Sequence, residues 1–149
     1  MGIRMYKKPI SDVFKQVGVT LVNPQWSWGG VTDDLDVLFL RIWTDQSKKF
    51  DGKLYARITD YKKRKAEEGK TNLGWKERLE HLELMKEGIT TYCIKCKEND
   101  KDSTSGRIRD YDDTICLVGG DLMMQDGDYW LEIVGSEKIR NIVNKRKQR

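Results

Sequence analysis

A single histidine, His81, stands among the 149 residues, and that count alone removes several chemistries. A histidine-based HNH-type nuclease centre, a site with two histidine ligands and the H-E-x-x-H protease motif all need more. A lone histidine between Glu80 and Leu82 is expected to be structural or solvated. The three cysteines invite a zinc reading, because Cys93 and Cys96 have C-x-x-C spacing and Cys116 with His81 would complete four ligands. Residues three apart on a strand point to opposite faces, however, and no glycine or proline bends the chain there into a knuckle. A redox role would need the same spacing at a helix N-terminus. The expectation is three free thiols, and no metal or other cofactor.

Carboxylates gather at Asp121, Asp126, Asp128 and Glu132. A metal-dependent nuclease would alternate an acidic residue with lysine on a neighbouring strand, and Glu132-Ile133-Val134 lacks the lysine. Asp126 and Asp128 are explained by a turn. Gly119-Gly120 lacks the lysine and hydroxyl residue of a phosphate loop.

The tryptophans remain. Trp26 and Trp28 are two apart, so an extended chain puts both on one face; Trp43 follows Arg41 by two residues and precedes Asp45 by two. Core packing is the ordinary use of an indole. The alternative is a sandwich for a flat ring, with Gly29-Gly30 permitting close approach. An extruded base would stack there, its edge met by Asp45, Ser27 or backbone, and its phosphates by Arg41, Arg78 and the basic C-terminal residues.

The elements that must position these residues follow from periodicity. Val13, Phe14 and Val17 predict a helix over 12–17, capped by Ser11 and stopped at Gly18. A strand over 19–22 should end at Asn23-Pro24, where proline removes a donor. Residues 37–43 are dense in β-branched and aromatic side chains and predict a strong strand. Asp51-Gly52 signals a turn before a strand over 53–60. The almost wholly charged 61–70 predicts a solvated loop or frayed helix. One long helix is expected over 75–87, capped by Asn72 and closed by Gly88, with Leu79, Leu82 and Met85 on its buried face. Strands follow over 90–97, 115–118, 122–125 and 129–134, the last two joined across Asp126-Gly127. The class is α+β: a small curved β-barrel or strongly bent sheet with two or three flanking helices.

At 38% hydrophobic residues the chain can build a core, and 35% charged residues solvate its surface. The net charge of +4 is unevenly placed. Residues 136–149 carry Lys138, Arg140, Lys145, Arg146, Lys147 and Arg149 against Glu137, a local +5 that leaves 1–135 at −1. This divides the chain into one domain over 1–135 and a basic tail or linker over 136–149. No apolar run approaches the roughly 20 residues of a membrane helix, and no secretion signal is visible at the start. A reducing, cytoplasmic setting is expected from the cysteine usage.

Two resemblances add to this. The runs Asn23-Pro24-Gln25-Trp26-Ser27-Trp28-Gly29, Phe39-Leu40-Arg41-Ile42-Trp43-Thr44-Asp45, Val118-Gly119-Gly120-Asp121-Leu122 and Asp126-Gly127-Asp128-Tyr129-Trp130-Leu131-Glu132 resemble segments of bacterial proteins that carry HNH endonuclease domains. So does Gly74-Trp75-Lys76-Glu77-Arg78 with His81. Leu84-Met85-Lys86-Glu87-Gly88 leading into a strand at Thr90 is similar to the helix-Gly-strand step of ASCH and EVE domains in the PUA-like superfamily. That likeness implies a curved barrel holding a modified base in an aromatic pocket, beside a nuclease in modification-dependent restriction. Trp26, Trp28 and Trp43 would be its pocket candidates.

Three readings result. The first is a reader of methylated or hydroxymethylated DNA in a restriction or defence system, with a fused or separate nuclease as partner. The second is a non-catalytic scaffold or protein-interaction module accompanying a nuclease. The third is a carboxylate-dependent metal nuclease using Asp45, Asp121 or Glu132.

Overall fold

The computed structural model describes residues 9–22, 28–34, 36–66, 73–98 and 108–147. Helix α1, Ile10–Gln16, starts directly behind Pro9, so Ser11 lies inside its first turn and no side chain caps it. Gly18, at φ +89°, ends it where expected. The strand expected over 19–22 is reduced to one bridge between Val19 and Thr32. Val19 and Leu21 are buried there all the same, so the segment is held by packing rather than by a ladder.

Eight strands follow among the described residues: β1 (Gly29–Val31), β2 (Val37–Trp43), β3 (Ser47–Phe50), β4 (Lys53–Arg57), β5 (Thr90–Glu98), β6 (Ile108–Tyr111), β7 (Ile115–Gln125) and β8 (Asp128–Lys138). Helices α2 (Tyr61–Ala66) and α3 (Leu73–Lys86) separate β4 from β5, and α4 (Ile139–Lys147) ends the described chain. The strands form one mixed sheet in the order β1-β2-β5-β7-β8-β4-β3, with β6 pairing β5. The β2–β5 ladder is parallel and the others are antiparallel. Residues 115–125, expected as two strands, are one strand whose register shifts around Gly119.

The sheet has to curl. In that order five strand spacings separate β2 from β3, about 24 Å in a flat sheet. Yet only the single 3-10 turn Thr44–Gln46 joins them, and chain from Trp43 to Ser47 spans at most about 14 Å. Ile42 of β2 and Ala56 of β4 accordingly share one core cluster across three intervening strands. No ladder among the described strands joins β3 back to β1. The α+β expectation is met by an open, strongly curled sheet.

Both faces of the sheet are covered at β2. Leu38, Leu40 and Ile42 pack with Leu82 and Met85 of α3 on one side. Phe39 packs on the other with Phe14 of α1 and with Ile139 and Ile142 of α4. A strand buried on both faces needs a near-continuous apolar run, and β2 carries one interrupted by Arg41. Cys93 lies in the first cluster and Cys96 in the second, so the two thiols point to opposite faces, as strand geometry requires.

The boundary expected at residue 135 is overturned. Residues 136–138 complete β8, and α4 buries Ile139 and Ile142 in the core. Apolar side chains at helical spacing within a run of lysines and arginines are easily read as solvated charge; here they anchor the C-terminal helix.

The β7–β8 hairpin turns at Asp126-Gly127 with φ of +52° and +83°, the pair of left-handed residues a tight type I′ turn demands. It places Asp128, only 7% exposed, beneath the start of α2. One Asp128 carboxylate oxygen, Oδ1, accepts from Thr59 Oγ1 at 2.8 Å and from the Tyr61 backbone N–H at 2.9 Å. Thr59 Oγ1 in turn accepts from the Tyr129 N–H at 2.9 Å. Replacing Asp128 with Ala leaves these buried donors unmet, with an expected loss of about 2–3 kcal/mol in urea unfolding. Asp128→Asn, which keeps an acceptor, should lose less.

Candidate functional site

Trp28 sits one residue before β1, and its carbonyl accepts from the Arg41 N–H at 2.8 Å, extending the β1–β2 edge. The glycines that follow are filled by the protein itself. A Cβ on Gly29 would fall 2.5 Å from the Phe39 carbonyl oxygen, and one on Gly30 would fall 2.6 Å from Val19 Cγ1. The close approach expected of this pair is thus made by neighbouring strand and loop, not by a ligand.

Helix α3 is stitched to this edge by charged residues. Its buried stripe is Gly74, Glu77, Arg78, His81, Leu82 and Met85. The expected face held Leu79, but Leu79 is only half-buried. The reason is the edge's need for hydrogen bonds: Trp28 N–H donates to Glu77 Oε1 at 3.0 Å. Arg78 Nη2 donates to the Arg41 carbonyl at 2.8 Å and the Trp28 carbonyl at 3.4 Å. The adjacent polar side chains of Glu77 and Arg78 therefore satisfy backbone groups that a leucine face would orphan.

Burial shapes their ionisation. Burial pushes Arg78 down to about 10, against the opposing pull of Cys93 and Glu77, and it stays cationic at neutral pH. Arg41 is also pushed down by burial, opposed by Cys96 and Glu77. His81 falls to about 4, through burial first and the Arg78 charge second, so its imidazole is neutral at pH 7. Burial pushes the Cys93 and Cys116 thiols up to about 12, which keeps both protonated.

Outside this stripe lies an array of rings and cations. The Arg64 guanidinium of α2 stands 4.8 Å from the Trp28 ring centre and 5.7 Å from that of Trp75. Arg78 approaches the Trp28 ring from 5.8 Å. Trp75 meets Tyr61 edge-on at 5.3 Å. Trp28, Arg64 and Trp75 are each half-buried, and Tyr61 is 38% exposed. Tyr61, Arg64 and Trp75 join Trp28 only in three dimensions. The charged run over 61–70 pointed to solvated surface, and nothing in residue spacing links it to position 28.

The other expected site residues divide. Trp26 and Ser27 lie outside the described residues. Trp43 is half-buried against the cluster built with α1 and α4, so it does not share the environment of Trp28 beside α2 and α3. Strand alternation explains this: Trp43 points to the same face as Phe39. Arg41 and Arg78, expected on phosphates, are 6% and 4% exposed, and Arg78 is spent on backbone carbonyls, so neither stands out toward a duplex. Asp45 is exposed on the 3-10 turn. Asp121 is exposed, and Glu132 is half-buried with Lys53 at 3.9 Å.

Among the described residues no three His, Cys, Asp or Glu side chains come together as a metal-ligand set, and no helix is long and apolar enough to cross a membrane. No family model matches the sequence, and no curated protein or solved structure is significantly similar to it.

Proposed function

We propose that this chain is a nucleic-acid-binding domain that stacks an unpaired or extruded base on the Trp28–Arg64–Trp75 array. The observation that carries the reading is the Arg64 guanidinium poised over two partly open indoles. Flat bases stack on indole faces and on guanidinium planes alike. The same short helix carries the exposed Lys65 next to Arg64, so a second cation that attracts a phosphate backbone stands on the element that brings Arg64 to the rings. The preferred ligand is DNA with a methylated or hydroxymethylated base, read in a restriction or defence system beside a nuclease. That refinement, like the PUA-like assignment, rests on the sequence likeness; the curled sheet with flanking helices is compatible with it.

Fluorescence anisotropy on duplexes with and without methylcytosine, hydroxymethylcytosine or methyladenine tests the reading at physiological salt. A modified duplex should bind more tightly than its plain counterpart. Equal affinity for all removes the modified-base refinement, and no binding to duplex or single strand removes the nucleic-acid reading. Because stacking contributes about 1–3 kcal/mol per base, Trp28→Ala should weaken binding roughly 5- to 150-fold with little change in melting temperature.

A scaffold role beside a nuclease is the second reading, favoured by the packed positions of Trp43, Arg41 and Arg78. It expects the opposite outcome: Trp28→Ala would cost about 3–5 kcal/mol of stability, as for a core aromatic, and no nucleic acid would bind.

A further inference from the structure

Arg41 is an unusual arginine to find inside a fold. It is 94% buried (6% exposed), yet its Nε and Nη2 nitrogens have no hydrogen-bond partner among the described residues. These two N–H groups lie on the same edge of the guanidinium, and together they are the fork that receives two oxygens of one carboxylate or phosphate. The Nε of the equally buried Arg78 is unpartnered as well. Glu77 is a carboxylate whose charge favours both guanidiniums, and burial outweighs it at each.

Buried charges are normally paired, and a buried donor without an acceptor costs free energy. A trapped water would fill the fork but leave the buried charge. An oxyanion would satisfy both. We infer that the Arg41 fork is the anchor of a buried oxyanion site that takes a phosphate group. The phosphate could be free in solution or the terminal group of an oligonucleotide, since the fork recognises the same oxygens in either. The inference stands apart from base stacking: it rests on Arg41, not on the Trp28 array, and either could fail alone.

Because the site is enclosed, occupancy should register as stability. Thermal melts of the whole chain at constant ionic strength should rise saturably with inorganic phosphate and not with chloride. Arg41→Lys keeps the charge but removes the fork; it should weaken half-saturation roughly tenfold or more, equivalent to about 1.4 kcal/mol. Should that variant fail to fold, the wild-type protein still decides. The Arg41 Nε–H resonance, identified from the assigned spectrum, should move saturably as phosphate is added. A parallel titration with a 5′-phosphorylated and a 5′-hydroxyl oligonucleotide separates the two sources. If only the phosphorylated strand acts, the ligand is a nucleic-acid end; if inorganic phosphate suffices, it is free phosphate. The inference is overturned if no phosphate source moves the melt or the Arg41 signal. It is overturned equally if Arg41→Lys responds to phosphate as the wild type does.

Discussion

Glu77→Ala is expected to lower the unfolding free energy by about 3–5 kcal/mol, the range found when one member of a buried charged group is removed. Glu77 is 6% exposed, and two consequences of its loss act together. The Trp28 N–H loses its acceptor at 3.0 Å. Arg41 and Arg78, 6% and 4% exposed, lose the carboxylate that offsets their desolvation. Glu77→Gln separates the contributions, because the amide oxygen still accepts from Trp28 while the charge is gone. If electrostatics dominate, Gln should be nearly as damaging as Ala in urea unfolding at pH 7. A stability unchanged in both variants would show that the stripe of α3 does not hold the helix to the β1–β2 edge.

Acid should weaken the fold in a window set by His81. Its folded value of about 4 lies below the ordinary 6.5, because burial and then the Arg78 charge disfavour the imidazolium. As pH falls from 6.5 toward 4, the unfolded chain takes up a proton that the folded chain refuses. Stability is therefore unaffected by this group above 6.5, declines through the window and levels off below about 4. The full difference corresponds to about 3 kcal/mol. Asp112 acts lower on the scale. Burial pulls it up, but hydrogen bonds from Thr114 and Ile115, and then the Lys95 charge, hold it below 3.8 overall. Its stabilisation is present above 3.8 and is lost only beneath the His81 window. His81 is 7% exposed, and its Nδ1 has no partner among the described residues. His81→Leu should therefore cost little at pH 7 and remove most of the slope between 6.5 and 4. Urea unfolding across that range checks this; an unaltered slope in the variant would assign the proton to another group.

Local patterns made much of the scaffold legible. The run 37–43, with its β-branched and aromatic side chains, is β2 to the residue, and Asp126-Gly127 makes its hairpin because few residues tolerate two successive positive φ angles. The opposite facing of Cys93 and Cys96 follows from the two-residue period of a strand. These are short-range matters of backbone sterics, and a sequence displays them directly.

Segments whose burial depends on distant partners were less legible. Helix α4 was hidden by its charge, although its isoleucines close one face of the core. On α3, apolar periodicity singled out Leu79, whereas the buried positions include Glu77, Arg78 and His81. Hydrophobicity along a chain cannot show that a helix will lie over an edge whose backbone groups need polar partners. The tryptophans make the same point. Spacing could state that Trp28 and Trp43 carry large flat rings, and alternation could orient each on its own strand. Only the curl of the sheet and the placement of α2 and α3 put Arg64 and Trp75 against Trp28 while leaving Trp43 to the α1–α4 side. Types of residue and local backbone shape were settled by the order of amino acids. The company each side chain keeps was decided by long-range packing, because contacts across the fold depend on the positions of all its elements at once.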